Sequence, residues 1–233
     1  MIRLAIISAS TSPIRTGAPI AAWVSQSARR SRAFEVDDID LQQVHLPLFD
    51  EPALPRYRRY VHAHTIQWSE RVDAADAFVM VVPEYNRGYP ALLKNALDYL
   101  AQEWAFKPVG IVSYGSGMSG GIRGAEALSG VLTALQMHPV REMVVVPHVE
   151  KHTSGETFSP TPGMTEGAEL MFESLVRADA AMNLLRTSSA DVGWQQGTDE
   201  TLAQQGDRRW TPRPPRDERE AWRRSAAGTT STL

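Results

Sequence analysis

The sequence predicts an α/β protein: a doubly wound, five-stranded parallel sheet with strand order 2-1-3-4-5 and helices on both faces. Two observations lead to this prediction. Short apolar runs alternate along the chain with segments whose apolar residues have helical spacing. Three loops that follow predicted strands are rich in glycine, proline or hydroxyl-bearing residues. In an open parallel sheet such loops lie at the carboxyl ends of the strands, where ligands bind.

Composition narrows the class of protein. The 233 residues suffice for one domain with a substantial core, and 42% hydrophobic with 22% charged residues is typical of a soluble globular protein. A formal net charge of −3 gives no overall basic character, so we expect no nucleic-acid partner. The chain has no cysteine, so redox chemistry would need a bound cofactor. No apolar run has the length of a signal peptide or a membrane span, so we expect a cytoplasmic protein without a membrane partner.

The first predicted strand, Leu4 to Ser8, is apolar without alternation and leads into a hydroxyl-rich loop, residues 9–17. A helix follows, with Thr16 as its predicted N-cap. Backbone N–H groups at a helix start, the helix dipole, the loop hydroxyls and the guanidinium of Arg15 together describe an anion site. The alternative is a surface turn whose hydroxyls merely cap the helix.

The second predicted strand, residues 34–41, alternates apolar and acidic residues, as an edge strand does. A helix is predicted over residues 57–74. His62 and His64 lie on it two positions apart and are expected to face different sides, while His45 has no second ligand spaced to join it. No metal site is therefore predicted.

The third predicted strand, residues 76–82, ends in a polar and aromatic turn, and a helix is predicted over residues 90–100. Pro90 suits the first turn of that helix. The polar and aromatic residues of this turn, Glu84, Tyr85 and Asn86, are therefore candidate site residues.

The fourth predicted strand, residues 107–113, ends in a glycine-rich loop, residues 114–121, whose backbone can approach a flat ligand closely. The fifth strand is predicted over residues 140–149 and the last helix over residues 166–186. The remaining segment, residues 187–233, has little apolar periodicity. We interpret it as a disordered or loosely docked tail beside a folded domain of residues 1–186, although its three tryptophans could dock.

One stretch resembles the signature of the NADPH-dependent FMN reductase family, a flavodoxin-like family that includes quinone, azo-dye and chromate reductases. The matching residues are Pro83, Glu84, Tyr85, Asn86, Gly88, Pro90, Leu93, Lys94, Asn95, Ala96, Leu97 and Asp98. The resemblance implies that FMN and NADPH are the cofactors. It covers roughly residues 1–186.

The resemblance also implies roles for the three loops. The FMN phosphate is implied to lie against Ser10, Ser12, Arg15, Thr16 and Gly17. The flavin ring is implied to lie between Pro83, Glu84, Tyr85, Asn86 and Gly88 on one side and Tyr114, Gly115, Ser116 and Gly117 on the other. Ala9 and Ser12 depart from the family pattern in the first loop, and Ser12 stands where the family carries a positive charge.

The implied reaction is hydride transfer from NAD(P)H to FMN, followed by electron transfer to a quinone, free flavin, azo compound or similar small-molecule acceptor. We assign no catalytic acid or base, because hydride transfer needs none. A flavodoxin-like electron carrier without its own NAD(P)H reaction and a flavin-free binding relative of the fold are the alternatives. The apolar stripe of the helix over residues 90–100, together with the resemblance, leads us to expect a homodimer or homotetramer.

Overall fold

Five parallel strands form the central sheet of the computed structural model, which describes residues 1–187. The strands are β1 (Ile2–Ser8), β2 (Phe34–Asp40), β3 (Ala77–Pro83), β4 (Pro108–Tyr114) and β5 (His138–Val146). Their order is β2-β1-β3-β4-β5, which confirms the predicted topology. The tail and its tryptophans, Trp194, Trp210 and Trp222, lie outside the described residues.

Helices cover the sheet on both faces. They are α1 (Gly17–Arg30), α2 (Leu41–Val44), α3 (Ala63–Ala74), α4 (Ala91–Asp98), α5 (Ile122–Ala134) and α6 (Pro162–Thr187). One core cluster packs α1 and α6 against the sheet, and a second packs α3, α4 and α5 against the other face. All seven residues of β3 and of β4 are buried, because these central strands have helices on both faces.

Several boundaries differ from the sequence prediction. The helix predicted from residue 57 begins at Ala63, since Pro55–Tyr57 forms a separate 3₁₀ turn. Residue 62 precedes that helix, and the rings of His62 and His64 stack at 5.2 Å between centroids rather than facing different sides. No group of three or more metal-ligating side chains occurs among residues 1–187.

The fifth strand ends at Val146, three residues earlier than predicted, because the chain turns at His148, which has φ of 47°. A short hairpin that the sequence did not predict follows, β6 (Thr153–Ser154) with β7 (Thr157–Phe158). No helix within residues 1–187 has the length and apolar character needed to cross a membrane.

The apolar stripe of α4 is buried within the protein's own core. Leu93, Ala96 and Leu97 are buried, and so is Leu100 just beyond the helix. Lys94 and Asp98 pair on the exposed side of the helix. The stripe therefore packs against the protein's own core, and it is not by itself a reason to expect a second subunit.

Candidate cofactor-binding site

Three loops meet at one edge of the sheet because β1, β3 and β4 are adjacent and parallel. We call residues 9–16, after β1, the first loop. Residues 84–90, after β3, are the second loop, and residues 115–121, after β4, are the third loop. In open α/β sheets, ligands bind in the crevice outside the carboxyl ends of the strands, at the point where the strand order reverses. The fold thus brings the three predicted segments together.

Hydroxyl groups organise the first loop. Ser10 Oγ accepts a hydrogen bond from the N–H of Ser12 at 3.2 Å and lies 3.4 Å from the hydroxyl of Tyr85. Ser12 Oγ accepts from the N–H of Ile14 at 3.3 Å. The contact between Ser10 and Tyr85 joins the first loop to the second.

Thr16 stands at the N-cap position of α1, as predicted, but its side chain makes no capping hydrogen bond. Its backbone is already helical, with φ of −53° and ψ of −30°, whereas a capping side chain needs a more extended residue. The interpretation of the loop hydroxyls as helix caps is therefore wrong for Thr16. The Thr16 side chain therefore leaves the N–H groups at the start of α1, and the positive end of the helix dipole, open to another partner.

Arg15 does not stand alone in the first loop. Its guanidinium donates to the carboxylate of Asp40 at the end of β2 and to the side-chain oxygen of Gln42. Arg15 has φ of 58°, a left-handed backbone conformation that is uncommon for a residue other than glycine. The sequence did not predict Asp40 or Gln42 as partners of Arg15. They lie at the end of β2 and just after it, and no site residue was predicted there.

Gly17, the first residue of α1, has a steric reason to be glycine. A Cβ at this position would collide with the hydroxyl of Tyr114, and it would lie 3.3 Å from Cβ of Ser10. Tyr114 is the last residue of β4, so its side chain crosses from the third loop's strand to lie beneath the first loop. Burial raises the pKa of the Tyr114 phenol, which therefore stays protonated at neutral pH.

The second loop is a tight turn. Tyr85 and Gly88 exchange two backbone hydrogen bonds, at 2.8 and 3.0 Å, around Asn86 and Arg87. These two central residues have φ of 52° and 67°, the pattern of a type I′ hairpin turn. Asn adopts that left-handed conformation more readily than most residues. The turn itself is therefore a reason for Asn at position 86, besides the predicted site role.

Glu84 links the second loop to α5. Its Oε2 accepts hydrogen bonds from the backbone N–H groups of Arg123 at 3.1 Å and Gly124 at 3.4 Å. The guanidinium of Arg123 lies 3.7 Å from the same carboxylate. A carboxylate at a helix start satisfies unpaired N–H groups and the helix dipole. Glu84 thus ties the second loop to the start of α5, a role that the sequence did not indicate.

The third loop is closed at one end and open at the other. Gly121 has φ of 88°, and a Cβ there would lie 2.7 Å from the carbonyl oxygen of Tyr114. Gly117, in contrast, has nothing within 4 Å of where its Cβ would be, and Ser116 beside it is exposed. The open end of the loop therefore leaves room against its backbone for a ligand.

His148 borders the third loop and was missed by sequence reasoning. Its Nδ1 lies 3.1 Å from the carbonyl oxygen of Ser116, and its backbone N–H donates to the carbonyl of Gly117 at 3.3 Å. The residue follows β5, whose carboxyl end lies at the same edge of the sheet. A polar residue near the end of the fifth predicted strand could therefore have been identified from the sequence as a site candidate.

The comparisons with known proteins agree with this geometry. A family model of NADPH-dependent FMN reductases matches residues 2–151, a range that contains all three loops. The chain belongs to this family. An NAD(P)H-dependent FMN reductase of Schizosaccharomyces pombe is 43% identical over 121 residues, covering 51% of this chain and 60% of that protein. An NAD(P)H-dependent FMN reductase of Saccharomyces cerevisiae is 36% identical over 154 residues, covering 61% of this chain and 80% of that protein.

A solved structure shares the fold. The flavoenzyme NAD(P)H:(acceptor) oxidoreductase FerB of Paracoccus denitrificans superimposes with a TM-score of 0.61, covering 76% of this chain and 99% of that one at 17% identity.

An NADPH azoreductase of a Bacillus species is 31% identical over 130 residues, which are 54% of this chain and 71% of that protein. The fold is flavodoxin-like, as the sequence resemblance implied.

The residues of the site fit FMN. The hydroxyl-rich first loop and the start of α1 offer donors for a phosphate. Exposed apolar side chains stand on each of the three loops: Ile14 is 83% exposed, Tyr85 38% and Met118 84%. Such side chains at the rim of a crevice suit a flat ring, because the ring would cover apolar surface that otherwise faces water.

Proposed function

We propose that the protein is an NAD(P)H-dependent FMN oxidoreductase that passes electrons to a small-molecule acceptor such as a quinone, free flavin or azo compound. The observation that carries the proposal is the meeting of three loops, all inside the family match, at one edge of the sheet. FMN, when bound, supplies the hydride and electron chemistry, and the protein supplies position and electrostatics.

In this proposal the first loop holds the phosphate. Ser10 and Ser12 present hydroxyls there, Arg15 presents a cation shared with Asp40, and the start of α1 presents its dipole. Thr16 keeps its hydroxyl free of the helix cap, so it can serve the phosphate as well.

The second and third loops hold the ring. The tight turn of Tyr85 to Gly88 stands on one side, and the open end of the third loop, from Gly115 to Gly117, stands on the other. Glu84 fixes the spacing between them through the start of α5. Pro83 is buried at the end of β3 and acts by shaping the turn.

The test is a titration of the purified protein with FMN and with riboflavin, followed by NADPH and NADH oxidation with a quinone, an azo dye or free flavin as acceptor. We expect FMN to bind more tightly than riboflavin and heat to release it unchanged. Equal affinity for the two would reject the first loop as the phosphate site. Flavin binding without NAD(P)H oxidation would identify an electron carrier instead, and no flavin binding would identify a flavin-free relative of the fold.

We also propose that the protein forms a homodimer or homotetramer. Apolar side chains of the segment before α3 support this, since Leu48 is 85% exposed and Val61 62%. The segment is tied to α4, where Asn95 accepts from the N–H of Phe49 at 3.0 Å. Light scattering at micromolar concentration tests the proposal, and a monomer alone would reject it. The cytoplasmic location expected from the sequence stays a prediction.

A further inference from the structure

Tyr114 carries a buried hydroxyl that lacks a hydrogen-bond partner. The residue is 4% exposed, and its phenol oxygen is buried without a hydrogen bond of ordinary geometry to any of residues 1–187. Burial raises the pKa of the phenol, and the Ser10 side chain, which lies beside it, opposes this rise with a smaller lowering. A buried hydroxyl without a partner costs stability, because it has lost its bonds to water and gained none in return. Such groups are uncommon in folded proteins and call for a physical reason.

The position of this hydroxyl points to a ligand. It lies at the place where a side chain of Gly17 would begin, so it sits directly beneath the first turn of α1. Ser10 is its neighbour on the other side, with Cβ 3.3 Å from that same place. The hydroxyl is therefore aimed into the base of the first loop, at the start of a helix of 14 residues that no side chain caps.

We propose that the Tyr114 hydroxyl donates a hydrogen bond to the phosphate end of the bound flavin, and so determines the preference for a phosphorylated flavin. This inference rests on the proposed function, and it moves Tyr114 from the ring, where the family resemblance put it, to the phosphate. Burial keeps the phenol protonated, so it can act as a donor and adds no negative charge beside the phosphate.

The contact requires a small rearrangement. Because the hydroxyl is buried in the described fold, the phosphate reaches it when the Ser10 side chain rotates and turns its own hydroxyl to the phosphate. Ser10 is held by two long contacts, 3.2 Å to the N–H of Ser12 and 3.4 Å to the hydroxyl of Tyr85. These are weak hydrogen bonds, and an anion with several oxygens can replace them.

The variant Tyr114→Phe removes the hydroxyl and keeps the ring. We expect its affinity for FMN to fall about tenfold or more, as for the loss of a hydrogen bond to a charged group, while its affinity for riboflavin stays within about twofold. In the absence of flavin we expect its Tm to equal or exceed that of the wild type, because an unpaired buried hydroxyl is gone.

Tyr99→Phe is the matched control. Tyr99 is also a fully buried tyrosine, but its hydroxyl bonds to Asp50 at 2.9 Å and to the carbonyl oxygens of Pro47 and Leu48, both at 3.2 Å. Its loss should lower the Tm and leave the ratio of FMN to riboflavin affinity unchanged.

Two outcomes would overturn the inference. Equal weakening of FMN and riboflavin by Tyr114→Phe would show a packing role, and an unchanged FMN affinity would show an unpaired hydroxyl without a ligand. If the wild type binds no flavin at all, the proposed function fails. The anion contact of Tyr114 is then tested separately, by measuring Tm with and without inorganic phosphate. A larger rise in Tm with phosphate for the wild type than for Tyr114→Phe supports the anion contact, and equal rises reject it.

Discussion

The guanidinium of Arg15, in the first loop, pairs with the carboxylate of Asp40, the last residue of β2. Gln42 accepts a second hydrogen bond from the same guanidinium. Asp40 also caps the short helix α2, accepting from the N–H of Gln42 at 3.0 Å. If the first loop holds the phosphate as proposed, its cation is shared with an acid, and this pair sets the charge that an incoming anion meets.

Asp40→Asn should therefore tighten FMN binding. Asn keeps the oxygen that caps α2 but removes a negative charge beside the phosphate site, worth on the order of 1 kcal/mol, or about fivefold in affinity. Riboflavin should bind as before, and the gain should shrink as salt is added. Asp38→Asn is the control, because Asp38, two residues earlier in β2, pairs with Arg29 of α1. A looser FMN complex in Asp40→Asn would instead mean that Asp40 positions Arg15.

Ser12→Arg should tighten FMN binding as well. The sequence resemblance implies a cation at the position of Ser12, whose hydroxyl accepts a long hydrogen bond from the N–H of Ile14 at 3.3 Å. A charged hydrogen bond to phosphate is worth about 1.5 kcal/mol or more, roughly tenfold in affinity. Ser12→Gln separates charge from size, since it adds length without a cation. If Ser12→Arg shifts FMN and riboflavin equally, the first loop does not hold the phosphate.

Gly17→Ala should destabilise the protein. The added Cβ would collide with the buried hydroxyl of Tyr114, and relief of that collision costs about 1–3 kcal/mol in a packed interior. The double variant Gly17→Ala, Tyr114→Phe should recover part of the loss, because Cζ of residue 114 would still lie 3.1 Å from the new Cβ. Urea denaturation measures both. Gly117→Ala is the control, with nothing within 4 Å, and a similar loss there would contradict the steric account.

Glu84→Ala should lower the free energy of unfolding by about 1 kcal/mol, since the carboxylate satisfies the N–H groups of Arg123 and Gly124 at the start of α5. Glu84→Gln should lose less, because the amide oxygen can still accept. Glu126→Ala, which removes an exposed carboxylate from α5, is the control for the loss of a negative charge near this helix. An unchanged stability in Glu84→Ala would show that the contact contributes nothing.

A chain ending at Thr187 should fold and bind FMN, whereas one ending at Leu185 should be less stable. Arg186 is 5% exposed and donates to the carbonyl oxygen of Phe106 at 2.7 Å, and it pairs with Asp179. Without Arg186, the partly buried carboxylate of Asp179 would lose this partner, which is costly. Thermal unfolding of the two truncated chains tests this. An insoluble or colourless chain of residues 1–187 would show that the tail belongs to the fold.

Local patterns were enough to predict the sheet. Apolar runs such as residues 76–82 mark buried strands, and the turn residues after them mark loops, because both signals depend on neighbours in the sequence. The order 2-1-3-4-5 then follows from alternating strands and helices. The predicted end of β5 was wrong by three residues, because His148 adopts a left-handed turn that the apolar residues on either side of it do not reveal.

By itself, the sequence determined which segments reach the ligand edge and that the first loop has the chemistry of an anion site. Only the tertiary structure decided which side chains meet there. Asp40 pairs with Arg15, Glu84 binds the backbone of Arg123, and the hydroxyl of Tyr114 fills the space beside Gly17. These partners lie on different elements and far apart in the chain. Hydrophobic periodicity places an element in the sheet, but a side-chain contact across the sheet depends on the packing of neighbouring strands and helices.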